Sequence, residues 1–314
     1  MFIIDMLVNT LWKVLETFAH NWIFLLLSVG ISVWLKLYIS QEMVARFMQK
    51  YRRGSVAMAT AAAVGTPLCS CGTTAVVLGM VASVMPWAPI VAFMVASPLT
   101  SPQELVYSAG LFGWPFAIAF FVASILLGLL GGAVAAFAES RGWLLNQARL
   151  APSAGAIPLT VLTPVQTVAS PKPQVTFLQA AREFFDTGWK LLLTFFGFAF
   201  IGYFLNGLIP AEWVQTLFGS GQIYSVPLAA TLGLPFYINT ESSLPLVLGL
   251  VEAGMSPGAA LAFLVTGAGT SVGAFSGMLT IARWRVVAIV LATLWVGAIL
   301  SGALYNTIVA LGLV

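Results

Sequence analysis

Apolar residues run along this chain in long blocks instead of alternating with polar ones. The blocks cover residues 22–40, 54–85, 87–110, 115–138, 190–209, 225–254, 257–281 and 286–313. A helix needs roughly 20 apolar residues to cross a bilayer. Barrel strands would alternate lipid-facing and lumen-facing positions, so the pattern predicts helices. Residues 151–175, "APSAGAIPLTVLTPVQTVASPKPQV", break the rhythm with Pro, Ser, Thr and Ala. They read as a linker that divides the chain near its middle.

Composition turns a helical pattern into a membrane assignment. The 314 residues are 60% hydrophobic and 7% charged, against roughly 25% charged in soluble domains. An all-α polytopic membrane protein follows, surrounded by lipid. A net charge of +3 bears on orientation and gives no sign of a nucleic-acid partner. The N-terminus carries Asp5, Lys13 and Glu16 without a small-residue cleavage site. It reads as an interfacial amphipathic helix over 1–21, not a signal peptide. His20 beside Trp22 reads as an interfacial anchor. The expected organisation is a first transmembrane repeat over 22–140, a linker with an amphipathic helix over 141–187, and a second repeat over 188–314.

The halves resemble each other. "ISQEMVARFM" from residue 39 lies over "IPAEWVQTLF" from 209, and "GMVASVMPWAPIVAFMV" from 79 over "GLVEAGMSPGAALAFLV" from 249. Both matches have an offset of 170; between them a two-residue shift faces Pro67 with Pro235. Duplication is a common construction of secondary transporters. Matching loops differ in charge: Arg46, Lys50, Arg52 and Arg53 face only Glu212, while Arg283 and Arg285 face the uncharged "AGLFGWP". By the positive-inside rule the two repeats, of about four hydrophobic segments each, are inverted, with the basic loops and the linker cytoplasmic.

Four blocks are interrupted. Residues 54–85 contain "TPLCSCG" with Pro67 and Gly72; their mate, 225–254, contains Pro235. The next block breaks at "ASPLTSP" with Pro98 and Pro102, and its mate at "TGAGTSVG" with Gly267 and Gly269. The first pair reads either as re-entrant hairpins or as long kinked helices. Paired Gly/Pro interruptions in corresponding places point to a binding site at mid-membrane.

The chemistry-bearing residues cluster at these breaks. Cys69 and Cys71 are the only thiols in the chain, with Ser70, Thr73 and Thr74 beside them. Two residues apart, they are strained as a mutual disulfide. Two thiols select soft species such as Cu(I), Zn(II), Cd(II) or trivalent arsenic but fall short of the four ligands of a structural zinc site. They would be metal ligands only for a soft metal or metalloid cargo, and no cofactor is expected. The alternative is that cysteine serves as a small packing residue. Glu241, with Asn239, Thr240 and Ser242, occupies the break that mirrors the cysteines, and an intramembrane carboxyl marks a substrate or proton path by default. Glu104 follows the other break at a helix N-terminus, where capping and proton coupling are both open. Glu212 and Glu252 read as solvated surface residues. Small residues at helical spacing, "GLLGGAVAAFAE" and "GAFSG", suit close helix packing or a homo-oligomer. No phosphate-binding loop is present, so the chain carries no ATPase of its own.

"TPLCSCGTTAVVLGM" followed by "APIVAFMVASPLTSP" resembles the predicted-permease family that includes bacterial organoarsenical efflux permeases. Length, duplicated halves and a central linker extend the resemblance over nearly the whole chain. It implies a multi-pass inner-membrane permease, not an enzyme. It also implies efflux of trivalent organoarsenicals, with Cys69 and Cys71 as arsenic ligands. Proton-coupled alternating access through Glu241 and Glu104 is the expected mechanism. The alternatives are a permease for a soft metal or sulfur compound, or a membrane thiol oxidoreductase, although Cys-x-Cys lacks the spacing such enzymes use.

Overall fold

A computed structural model describes residues 2–38, 56–65, 73, 76–77, 80–81, 86–144, 147–148, 177–208, 211–236, 240–270, 278–279 and 281–312. The described residues are helical, with a single isolated bridge between Ala148 and Ala282. The helices named here are α1 Phe2–Tyr38, α2 Val56–Val64, α3 Trp87–Ala96, α4 Pro102–Phe112, α5 Trp114–Ser140 and α6 Phe177–Leu208. They continue with α7 Ala211–Phe218, α8 Ser225–Phe236, α9 Thr240–Glu252, α10 Pro257–Gly269 and α11 Trp284–Ala310.

Among the described residues, α5 and α11 stand out as long and apolar enough to cross a membrane. Each has 27 residues, about 40 Å of helix, ample for a hydrocarbon core of about 30 Å. Pro115 sits in the first turn of α5, where its missing N–H costs nothing. Gly113, at φ 86, makes the sharp turn from α4 that other residues resist. One face of α5 carries Ile118, Val122, Leu126, Leu130, Val134 and Phe137, all exposed. A continuous exposed apolar face suits a bilayer.

Packing follows the same offset as the sequence. The helices α3 and α10 begin 170 residues apart, as do α5 and α11. Gly132 lies against Val56 and Ala92; Gly302, 170 residues on, lies against Val226 and Ala262, the counterparts of both. In lipid such contacts hold helices together by close packing, since lipid tails are as apolar as the side chains. The counterpart helices also meet one another, running in opposite directions. Between α5 and α11, Gly131 faces Thr293, Leu127 fills the space beside Gly297, and the Phe116 and Tyr305 rings stand 5.7 Å apart. Between α1 and α6, Thr17 bonds Tyr203, Phe18 meets Phe196, and Val29 meets Gly188.

The short helices reach only halfway along α5 and α11. In the first half, the Trp87 N–H reaches Glu139 Oε1 at 3.4 Å near the end of α5. Ala92 then lies against Gly132 and Ala96 against Gly128. Thus α3 stops level with the middle of α5, and Thr60 of α2 lies beside the same Gly128. In the second half, Gly258 lies against Gly302 and Gly269 against Leu294, so α10 stops level with the middle of α11. Helices α8 and α9 form a hairpin. Its outer ends are joined where the Ser256 N–H donates to the Phe218 carbonyl at 2.8 Å and the Tyr224 hydroxyl donates to the Thr216 carbonyl at 2.7 Å. Arms of 12 and 13 residues, about 18–20 Å each, are too short to cross.

Two boundaries of the expected organisation fall inside helices. Phe2–Tyr38 is one continuous 37-residue helix, so no break separates 1–21 from the span that follows; its apolar content is sustained across that boundary. Similarly, the 187/188 boundary falls inside α6. Helix α10 runs through Gly267 and ends at Gly269, capped at Thr270, within the stretch where a break is expected. Their missing side chains also serve packing, against the Gly233 carbonyl and Leu294.

Candidate functional site

The mid-depth level, where α3 and α10 stop, gathers buried hydroxyls. Ser97, Thr100 and Ser101 lie in the turn between α3 and α4 and are all buried. Ser97 ends α3 with its N–H on the Phe93 carbonyl, and Thr100 Oγ1 donates to the Ala96 carbonyl at 2.9 Å. Thr73, two residues after Cys71 in the sequence, is buried and shares a 2.8 Å hydrogen bond with Ser97 Oγ. That bond joins the segment following the cysteines to the α3–α4 turn.

The second half has a matching junction. Thr270, the counterpart of Thr100, caps α10. Its Oγ1 lies 2.7 Å from the Thr266 carbonyl and 3.3 Å from the Leu234 carbonyl, near the end of α8. Gly233 makes the approach possible, since a Cβ there would overlap Thr266 Oγ1 and press on the Phe263 carbonyl. In each half, therefore, a hydroxyl bond links the two interrupted segments at mid-depth.

The residues singled out in the sequence divide into three groups. Thr73 and Glu104 are buried; Glu104 is in the first turn of α4, after Ser101 at the N-cap and Pro102 at N1. Pro98 lies in the buried α3–α4 turn. Pro235 is the penultimate residue of α8, and Thr240 and Glu241 open α9. Helix α4 packs against α9, so the element bearing Glu104 adjoins the one bearing Glu241. Pro67, Cys69, Ser70, Cys71, Gly72 and Asn239 lie outside the described residues.

Ser97, Thr100, Ser101 and Thr270 were not singled out by sequence reasoning. The available signal was their hydroxyls inside the interrupted apolar blocks. Glu252 is exposed, as expected of a solvated residue, and also has partners. It accepts from the Tyr203 hydroxyl at 2.9 Å and faces Lys13 at 3.7 Å, tying α9 to α6 and α1.

Helix ends and hydroxyls at this depth offer donors and acceptors to a polar solute where lipid offers none. Irregular backbone is tolerated there only when buried in protein or lining a cavity. Comparison with known proteins agrees with a transport role. A sequence-family profile described as "predicted permease" matches residues 8–307. The UPF0718 protein YcgR of Bacillus subtilis (strain 168) is 26% identical over 284 residues, covering 90% of this chain and 91% of that protein. No solved structure matches the chain.

Proposed function

The chain belongs to the predicted-permease family, and from that premise we propose a multi-pass inner-membrane permease of two inverted repeats that exports a thiophilic solute. The observation that carries this reading is the mid-depth meeting of interrupted helices in both halves. Antiparallel contact between counterpart helices supports the inversion, because a pseudo-two-fold axis in the membrane plane imposes it. The α2 and α3 starts lie towards the C-terminal end of α5, whereas the α8–α9 hairpin is rooted by the C-terminal end of α11. With α5 and α11 antiparallel, the two sets of short helices enter from opposite faces. Arg141, Arg283 and Arg285 gather at one of those faces, where Arg285 Nη1 donates to the Trp143 carbonyl at 3.3 Å. That face is cytoplasmic by the positive-inside rule.

The cargo is a trivalent organoarsenical held by Cys69 and Cys71. Each thiol that bonds to arsenic displaces one hydroxyl, which leaves as water with the thiol proton. Arsenic stays trivalent throughout. The thiols fall in sequence between α2 and Thr73, both of which lie beside the mid-depth turn. Glu241, with Glu104 across the α4–α9 contact, takes and returns the proton that drives the cycle. Everted vesicles energised with a proton gradient should accumulate methylarsenite. The Cys69→Ser/Cys71→Ser double variant should abolish that uptake; undiminished uptake would remove the thiols from the mechanism. Glu241→Gln should remove its dependence on the proton gradient, and an unchanged dependence would refute the coupling role.

A further inference from the structure

Among the described residues, one buried serine hydroxyl at mid-depth makes no hydrogen bond. Ser101 is 4% exposed and its Oγ makes no hydrogen bond. It occupies the N-cap of the 11-residue α4 with the extended backbone of a capping residue, φ −68 and ψ 137, yet its side chain caps nothing. An N-cap serine ordinarily accepts from an N–H of the first turn. The neighbouring hydroxyls are engaged: Ser97 with Thr73, and Thr100 with the Ala96 carbonyl. A buried hydroxyl left unpaired is costly, and this one sits at the positive end of a helix dipole. Ser225 is also buried and unpartnered, but it lies at the root of the α8–α9 hairpin, away from the breaks.

We propose that Ser101 and the start of α4 form an oxygen-binding subsite for the transported solute. The inference rests on the thiol-site reading and narrows its cargo to species bearing a hydroxyl. After one thiol has replaced one hydroxyl on a trivalent metalloid, a second hydroxyl remains on it. Ser101 holds that oxygen while the other thiol approaches. The second exchange then releases it as water, with the thiol proton and no change in oxidation state. A serine hydroxyl is donor and acceptor at once, which suits a neutral hydroxyl on the solute. A bare soft cation has no oxygen to offer and gains nothing from a helix N-terminus.

The test uses the full chain in nanodiscs. Its only two cysteines make maleimide alkylation a specific report on Cys69 and Cys71. Phenylarsenite, which carries two hydroxyls, and Ag(I), which carries none, are each timed as they protect the thiols. Ser101→Ala should slow protection by phenylarsenite about fivefold, the effect of one lost hydrogen bond. It should leave protection by Ag(I) unchanged, with a Tm no lower than wild type, and Ser101→Thr should restore the phenylarsenite rate. Equal rates for wild type and Ser101→Ala would overturn the subsite while leaving the thiol site standing. Equal slowing of both probes, or a lowered Tm, would make Ser101 structural and also overturn it. Failure of both probes to protect wild type would overturn the thiol reading and the subsite together.

Discussion

Single side chains join elements that are far apart in sequence. Thr73 and Ser97 share one buried hydrogen bond, so Thr73→Val leaves the Ser97 hydroxyl without that partner. The expected loss is about 1–3 kcal/mol, seen as a lower Tm, together with faster maleimide labelling of the cysteines as their neighbouring segment loosens. At another corner, Tyr203 bridges Thr17 and Glu252, while Lys13 reaches the same carboxylate. Tyr203 is buried, whereas Lys13 and Glu252 are 46% and 41% exposed. Solvent screens the ion pair, so Lys13→Met should cost under about 1 kcal/mol and less in high salt. Tyr203→Phe should cost more, roughly 1.5–3 kcal/mol, because its bond is to a charged acceptor. Thermal unfolding of both variants, with and without 1 M salt as an order-of-magnitude screen, checks the ranking. The solvated reading of Glu252 agrees with its exposure, but its partners were not legible in the sequence because folding brings them to it, from α1 and α6.

Helices touch where glycine leaves room. A methyl group added at Gly132 would overlap Val56 and crowd Ala92; one added at Gly302 would overlap the Gly258 carbonyl and crowd Val226. Gly132→Val and Gly302→Val should therefore each destabilise by about 1–3 kcal/mol, whereas Gly30→Ala, with open space around it, should be near neutral. Thermal unfolding in one detergent compares the three. The sequence showed the small residues and their spacing, and placed both 27-residue spans closely. It placed a break around Gly267 and Gly269 because glycine weakens a helix. Helix α10 ends at Gly269, where a Cβ would press on Leu294, while one at Gly267 would make only ordinary contact with the Gly233 carbonyl. The boundary expected after residue 21 falls inside α1: a few charges mark an interfacial segment, and a helix need not end where it leaves the lipid.

For the whole molecule, orientation is the property to test. Ile223 is 95% exposed beside the root of the α8–α9 hairpin, and Trp143 is 61% exposed beside the arginine-rich ends of α5 and α11. In a Cys69→Ser/Cys71→Ser background, a membrane-impermeant maleimide applied to intact cells should label Ile223→Cys. Trp143→Cys should label only after permeabilisation. Labelling of both from the same face would refute the inverted arrangement. The charge contrast between matching loops is what the sequence offers for this proposed arrangement, since Lys and Arg favour the cytoplasmic face. The site was less legible. A serine or threonine that bonds a carbonyl four residues back, as Thr100 does, is hard to distinguish by sequence from one that faces a cavity.

Leu127 and Gly297 stand 170 residues apart at equivalent points of two antiparallel helices, and they touch. Were the halves separate identical molecules, the same residue would occupy both sides of that point. Two leucines would collide, and two glycines would leave a void. A single covalent chain escapes the dilemma by setting a knob on one side and a socket on the other. The place where the two halves are most strictly related is thus where their sequences have to differ.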